Sequence, residues 1–282
     1  MTTVLDIIDK GTAYLEKRGI EDARRNMQLL VANQLDCTRM DLYLRFDQPL
    51  EEEHLVPLRE SLKKRGEGIP LQHLMGTVIF RAHEFRTDAR ALIPRPETEE
   101  LAEWLAKNVK LADGATILDM GCGSGVLGLS LASDFPNAEL TLADVSQDAL
   151  ALTRENAELT GIQPAEFVHS DLFSALTGKT FDLIVANLPY VAESERETIS
   201  REVAHDPALA LFSGEDGLDL IRRFIPESTK HLRPGGWLAL EIGHDQSAEV
   251  ERLMHEAGLT DVLTRTDLSG ISRFPVGRAP AR

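Results

Sequence analysis

The chain has 282 residues, of which 43% are hydrophobic, with a net charge of −16 and an isoelectric point near 4.9. That length holds one large domain or two, with enough apolar content for a core. Mean hydropathy is −0.17, no apolar run approaches the ~18 residues of a membrane span, and the start, with Asp6 and Asp9, lacks a signal-peptide pattern, so the chain reads as soluble and cytoplasmic.

Two cysteines, Cys37 and Cys122, are too few for a disulfide framework or a zinc cluster. A nucleic-acid binder usually carries a basic face, which this acidity argues against. The charge is uneven. Residues 1–76 carry eleven Lys/Arg against thirteen Asp/Glu, a net of −2, so about −14 lies in the remainder. A near-neutral N-terminal part suits docking on a protein or nucleoprotein partner, and ordinary surface variation accounts for it as well.

Helical spacing of Leu5, Ile8 and Leu15 predicts a helix over Val4–Lys17, stopped at Gly19. A second helix spans Glu21–Leu35, with Ala23, Met27, Leu30 and Val31 on one face, and a short third spans Thr38–Leu44. A fourth runs over Glu51–Arg65; its acidic start and its Lys63-Lys64-Arg65 end complement the helix dipole. Residues 1–75 therefore read as a small helical domain, a candidate for substrate recognition. Gly66, Gly68 and Pro70 then break the pattern. Val78–Phe80 and Glu84–Thr87 read as a hairpin, and residues 76–95 as a linker. Pro96 opens a helix to about Val109.

From Thr116 strands and helices alternate, so residues 96–282 read as an α/β, doubly wound, Rossmann-like domain. Strands are expected at Thr116–Met120, Glu139–Ala143, Glu166–His169, Phe181–Ala186 and Trp237–Ile242, the last after a Pro234-Gly235-Gly236 turn. Helices are expected at Val126–Ser133, Ser146–Leu159, Gly217–His231 and Gln246–Ala257. Asp261–Thr266 and Ser272–Val276 read as an antiparallel pair at one side of the sheet. Residues 191–214 form a connection long enough to be functional or to carry a helix of its own.

Asp119-Met120-Gly121-Cys122-Gly123-Ser124-Gly125 joins the first strand to its helix. Its glycines let the backbone approach a ligand, and the helix start offers free N–H groups. Asp144 ends the next strand about twenty residues on, where an acidic residue meets a ribose. The alternating glycines depart from G-x-G-x-x-G, with Val126 at the third-glycine position, which favours S-adenosylmethionine over NAD. Asp119 can hold the amino group of an amino-acid tail or brace the turn. Asp171 can accept from an adenine amino group or cap a helix. Cys122 reads as a small loop residue.

Asn187-Leu188-Pro189-Tyr190 follows the apolar strand Phe181–Ala186, at the strand end where open α/β sheets bind ligands. Asn187 offers a donor and an acceptor. Pro189 fixes its own φ and keeps Leu188 extended, making a rigid bend with its carbonyls outward. Tyr190 adds a flat face. The alternative is a plain strand-ending turn.

Together these stretches resemble a class I S-adenosylmethionine-dependent methyltransferase, and more narrowly the protein-(glutamine-N5) methyltransferases that modify peptide chain release factors. Residues Pro70–Gly76, Ile93–Glu99, Asp119–Gly125, Ser170–Phe173 and Asn187–Tyr190 carry the resemblance, Ile93–Glu99 being the most specific. It implies S-adenosyl-L-methionine as cofactor, held by Asp119, Gly121, Cys122, Gly123, Ser124, Gly125, Asp144, Asp171, Leu172 and Asn187, and S-adenosyl-L-homocysteine as product. It implies a release factor as protein substrate, no direct nucleic-acid or membrane partner, and a monomer. Asn187, Leu188, Pro189 and Tyr190 become the catalytic set. The Asn187 side-chain oxygen and the Leu188 carbonyl accept the N–H bonds of a glutamine amide, Tyr190 packs beside it, and no pKa-tuned His or Glu is needed. The family usually has Pro where Leu188 stands, and the segment Val203–Pro207 departs from its usual acidic-aromatic form, so it is assigned no role.

The rival readings are an adenine-N6 DNA methyltransferase, glutamine methylation of a ribosomal protein, a cofactor-fold binding module without catalysis, and an NAD-dependent oxidoreductase. The first lacks a basic DNA-binding face, and the last lacks the loop spacing.

Overall fold

The structure, a computed structural model, describes residues 2–164 and 166–281. Two compact units divide the chain, one running up to Thr77 with Ser200–His205, the other holding Val78–Ile199 and Asp206 onward.

The first unit is helical. Helix α1 (Val4–Glu16) starts with a capping box: Asp6 N–H donates to Thr3 Oγ1 and Thr3 N–H to the Asp6 carboxylate. It packs on α2 (Ala23–Gln34) through Gly11, where a Cβ would sit 2.3 Å from Met27 Sδ. Val4, Ile8, Leu15, Met27, Leu30 and Val31 form the core, so Val4 takes the place expected for Leu5. The expected third helix is a single 3-10 turn, Asp41–Leu44. Helix α3 (Glu52–Gly66) is followed by a short α4 (Leu71–Met75) that periodicity missed; five residues between Pro70 and Gly76 are too few to show a period. Arg65, in the last turn of α3 as expected, does more than complement the helix dipole. Its side chain is 3% exposed, donates to Asn26 Oδ1 at 2.7 Å and to the Ile69 carbonyl at 3.2 Å, and ion-pairs with Glu202.

The second unit, from Val78 on, opens within a hairpin, β1 (Thr77–Phe80) and β2 (His83–Arg86), followed by α5 (Pro96–Asn108). The elements that follow are β3 (Thr116–Met120), α6 (Val126–Asp134), β4 (Glu139–Asp144), α7 (Gln147–Thr160), β5 (Glu166–His169), β6 (Phe181–Ala186), α8 (Asp219–His231), β7 (Leu232–Leu240), α9 (Ser247–Glu256), β8 (Thr260–Thr266) and β9 (Ser272–Arg278). One seven-stranded sheet runs β5-β4-β3-β6-β7-β9-β8, parallel except where β9 pairs with β7 and β8. The antiparallel pair at the sheet's edge is as expected.

The hairpin, read as a linker, is part of this unit's core. Phe80 and Phe85 are buried there with rings 6.1 Å apart, edge to face. Phe85→Ala is expected to cost about 3–5 kcal/mol in urea unfolding; a loss under about 1 kcal/mol would mean an inessential hairpin. The expected Pro234-Gly235-Gly236 turn lies inside β7. Pairing jumps from Phe181↔Leu232 to Leu183↔Trp237, a bulge in which Gly235 has φ +76° and Arg278 donates to its carbonyl. The bulge lets the strand continue, so β7 is nine residues long.

The connection after β6 carries short 3-10 turns at Glu193–Glu195, Val203–His205 and Ala208–Ala210. Among the described residues no helix is long and apolar enough to cross a membrane.

Strand register sets up the site. Met120 pairs with Ala143 on one side and Ala186 on the other, and Ala186 pairs with Leu240. The residues just beyond, Gly121, Asp144, Asn187 and Glu241, therefore emerge side by side at the carboxyl edge. The strand order reverses between β3 and β6, the place where such sheets bind ligands.

Candidate active site

A cavity of about 370 Å³ opens at this edge. Its wall includes Asp119, Gly121, Cys122, Gly123 and Ser124, then Asp144, Asp171 and Leu172, and Asn187, Leu188 and Pro189. Two sequence-predicted residues are not on it, Gly125 and Tyr190. Gly125 has φ +81° and starts α6 behind the loop, where a Cβ would lie 2.6 Å from Thr153 Cγ2. Tyr190, partly buried, packs against the core beside the site, and burial pushes its phenol pKa up.

The glycine loop is braced from several sides. Gly121 and Cys122 donate N–H bonds to the Ala143 carbonyl. Gly121 has φ +69°, and a Cβ there would meet Leu188 Cδ2 at 2.8 Å. Asp119 accepts the Gly128 N–H at 2.9 Å, which ties the end of β3 to the first turn of α6. Of its two expected roles, this is the bracing one. Burial pushes its pKa up to about 7, the Gly128 bond opposing and the Asp144 charge adding to the shift. From α7, Thr153 Oγ1 donates to the Gly123 carbonyl at 2.7 Å. Asn156, fully buried, donates to the Ser124 and Arg86 carbonyls and accepts the Arg86 N–H. Sequence reading missed Thr153 and Asn156, although a buried-face Asn in a helix interior is a signal.

Asp144 accepts from Gly123 N–H and Ser146 N–H, both at 2.8 Å, and burial raises its pKa. Asp171 is more exposed, and Arg223 donates to both its oxygens, at 3.1 and 3.0 Å. Its carboxylate is thus engaged by a side chain from α8.

Around Asn187 a buried relay appears. Asn187 Nδ2 donates to Thr98 Oγ1 at 3.2 Å, and Thr98 Oγ1 donates to Glu241 Oε2 at 2.6 Å. Thr98 is 4% exposed and Glu241 1%. Burial pushes the Glu241 pKa up to about 7, opposed by hydrogen bonds from Thr98 and Asn187. Glu241 is not on the cavity wall; the register brings it, at the β7 end, next to the β6 end and beneath Asn187. A Glu following an apolar strand was the available signal. Gln246 also went unremarked. It donates to the Tyr190 carbonyl at 2.9 Å and accepts the Gly243 N–H, holding the bend after Pro189. Asp206, in the segment given no role, accepts from Ile93 N–H at 3.2 Å and from Arg95 Nη2 at 2.6 Å, fastening the Ile93–Arg95 segment, whose Pro94 and Arg95 line the cavity. Among the described residues no hydrogen bond reaches the Leu188 carbonyl.

These residues suit an adenosyl sulfonium ligand. A Cβ on Gly123 would meet only Ala91, at 3.8 Å, so the loop leaves backbone-level room. Two buried carboxyls beside that room can accept from an amino group and from ribose hydroxyls.

The sheet order, the glycine loop and this carboxyl edge define a class I S-adenosylmethionine-dependent methyltransferase. A T. thermophilus 16S rRNA N2 G1207 methyltransferase, solved with AdoMet and guanosine, matches at TM-score 0.53 and 23% identity over 73% of this chain and 50% of its own. A methyltransferase from Pyrococcus furiosus matches at 0.52 and 17%, over 70% and 88%. These likenesses show the fold. Residues 97–215 match the Methyltransferase small domain family, and 6–76 the PrmC N-terminal domain family. The release factor glutamine methyltransferase of Geobacter sulfurreducens is 36% identical over 98% of this chain and 96% of its own, and that of Deinococcus radiodurans 37% over 95% and 96%. The chain belongs to the release factor glutamine methyltransferase family.

Proposed function

We propose that this enzyme transfers a methyl group to the side-chain amide nitrogen of a glutamine in a peptide chain release factor, and that it works in the cytoplasm, where translation ends. The observation that carries this reading is the Asn187 side chain on the cavity wall, its nitrogen end tied inward to Thr98. Bound S-adenosylmethionine supplies an electrophilic methyl on a sulfonium centre.

An amide nitrogen is a weak nucleophile because its lone pair is delocalised into the carbonyl. The residues at the β6 end compensate by position and charge. Asn187 Oδ1 accepts one N–H of the substrate amide and the Leu188 carbonyl accepts the other. Together they orient the nitrogen and stabilise the positive charge that grows on it. Two preset acceptors suffice, since an N-methylated amide cation gives up its proton readily to water. Pro189 restricts Leu188 to extended backbone, which keeps the two acceptors in fixed relation. Tyr190 acts from behind, where Gln246 holds its carbonyl and so the bend. Leu188, where the family usually has Pro, packs its side chain over Gly121, coupling the substrate end of the cavity to the glycine loop.

Asp144, Asp119 and the loop from Gly121 to Ser124 are assigned to the cofactor, with Asp171 and Leu172 at its other wall. The test is mass spectrometry of a release factor incubated with the enzyme and S-adenosylmethionine. One added methyl on a single glutamine is expected. Methylation of a ribosomal protein in its place, with the release factor untouched, would overturn the substrate assignment.

A further inference from the structure

We propose that Thr98 and Glu241 act as positioning residues that select which end of the Asn187 amide faces the substrate. The inference rests on the function proposed above and gives the Ile93–Glu99 stretch a physical task.

An asparagine amide is nearly symmetric in shape and opposite in chemistry at its two ends. Turned by 180° about its last bond, Asn187 would fill the same space and present an NH₂ group. That group cannot accept an N–H from a substrate amide. The catalytic geometry therefore needs something to choose between the two orientations, and packing alone does not.

The hydroxyl of Thr98 makes the choice through its single proton. Thr98 Oγ1 donates to Glu241 Oε2 at 2.6 Å, a short hydroxyl–carboxylate hydrogen bond. With the proton committed there, Thr98 turns only lone pairs toward Asn187. The amide nitrogen, 3.2 Å away, donates into them. A flipped Asn187 would set its oxygen against those lone pairs in a buried place, where such a mismatch is costly.

The fold holds both partners in place. Thr98 lies in the first turn of α5, its N–H bonded to the Arg95 carbonyl. Glu241 follows the last residue of β7 and donates its N–H to the Ala186 carbonyl at 3.0 Å, one residue before Asn187. The charged neighbours of Glu241 are Glu97 on α5 and Arg273 on β9. Arg273 is itself bound to Asp267 at 2.7 Å, which leaves Thr98 and the Asn187 amide nitrogen as the near partners of the Glu241 carboxylate.

The test uses the full chain with Thr98→Val, Thr98→Ser and Glu241→Gln at pH 8, above the Glu241 pKa of about 7. Valine keeps the shape of threonine and removes the hydroxyl. Thr98→Val is expected to lower kcat on the order of 10²-fold, with KM for the release factor and calorimetric affinity for S-adenosylmethionine little changed. Thr98→Ser keeps the hydroxyl and should recover most of that loss. Glu241→Gln can both donate and accept, so it should give an intermediate kcat. A second readout is independent of turnover: the Asn187 side-chain NH₂ signals in a nitrogen-edited NMR spectrum, assigned by their absence in Asn187→Ala. They should be protected from solvent exchange in the parent and lose protection in Thr98→Val. Unaltered kcat in Thr98→Val, failure of Thr98→Ser to recover activity, or equal protection in parent and Thr98→Val would each overturn the proposal. A parent enzyme inactive on release factors would remove the substrate assignment alone, and the NMR comparison would still decide the relay.

Discussion

An Asn187→Ala variant is expected to lose turnover on the order of 10²–10³-fold while binding S-adenosylmethionine about as tightly as the parent. Alanine deletes the acceptor proposed for the substrate amide. It leaves intact the loop from Gly121 to Ser124, braced by Asp119, Thr153 and Asn156, and the Asp144 carboxylate on the far side of β3. The loss should therefore fall on kcat. Asn187→Asp is a sharper control. A carboxylate there accepts at both ends, so it meets the lone pairs of Thr98 and the charge of Glu241 in a buried place. It should be as inactive as alanine and less stable, since one of two close carboxyls must take up a proton. Transfer of labelled methyl to a release factor and calorimetric titration with the cofactor measure the two quantities. Parent-level turnover in Asn187→Ala would end the proposed mechanism.

The ligand-free protein should become less stable as pH rises from about 5 to about 7. Asp119 and Glu241 are buried carboxyls whose folded pKa values are both pushed up to about 7, from ordinary values of 3.8 and 4.5. A raised folded pKa means that the native state holds a proton the unfolded chain has already released. Their stabilising contribution is thus complete below the unfolded values and is lost as pH climbs through the folded ones. Each carboxyl removes at most about 1.4 kcal/mol per pH unit in that window. The opposite group includes Asp216, which Arg222 holds down to about 2, and Glu52 beside Arg59. Their contributions are lost only as pH falls below the ordinary carboxylate range, outside the window. Thermal unfolding at pH 5.5 and pH 7.5 should give a higher midpoint at the lower pH. Asp119→Asn and Glu241→Gln should each shrink the difference. A midpoint that climbs with pH in the parent, or a difference the two variants leave intact, would contradict the assignment of these carboxyls as costly in the empty site. The cost has a use: preset acceptors in a dry site are worth more to a bound cation or donor than the same groups in water.

Local sequence was enough for much of the architecture. Apolar runs such as Phe181–Ala186 are short, aliphatic and flanked by breakers, so they read as strands without tertiary information. Helix starts with local caps were legible for the same reason: Ser146 accepts from the Ala149 N–H three residues on. The antiparallel last pair, the glycine loop and Asn187–Pro189 on the cavity wall all follow from patterns contained within a few residues. Where such patterns were too short or interrupted, the reading slipped. The five-residue α4 shows no period, and the glycines within β7 resemble a turn until Phe181 and Leu183 are seen to pair across a bulge.

The amino-acid order alone thus determined the alternating strands and helices, the loop that suits an adenosyl cofactor, and the polar bend after β6. Tertiary structure alone decided how those parts are held and aimed. Thr98, Asn187 and Glu241 are separated by 89 and 54 residues along the chain, and only parallel pairing of β6 with β7, together with the packing of α5, brings them within hydrogen-bond distance. The same holds for Asn156 under the loop and Asp206 on Arg95. Backbone preferences act over a few residues and are written locally. The orientation of a buried amide, and the protonation of the carboxyl beneath it, depend on which distant groups share its low-dielectric surroundings, and that is settled only when the sheet is assembled.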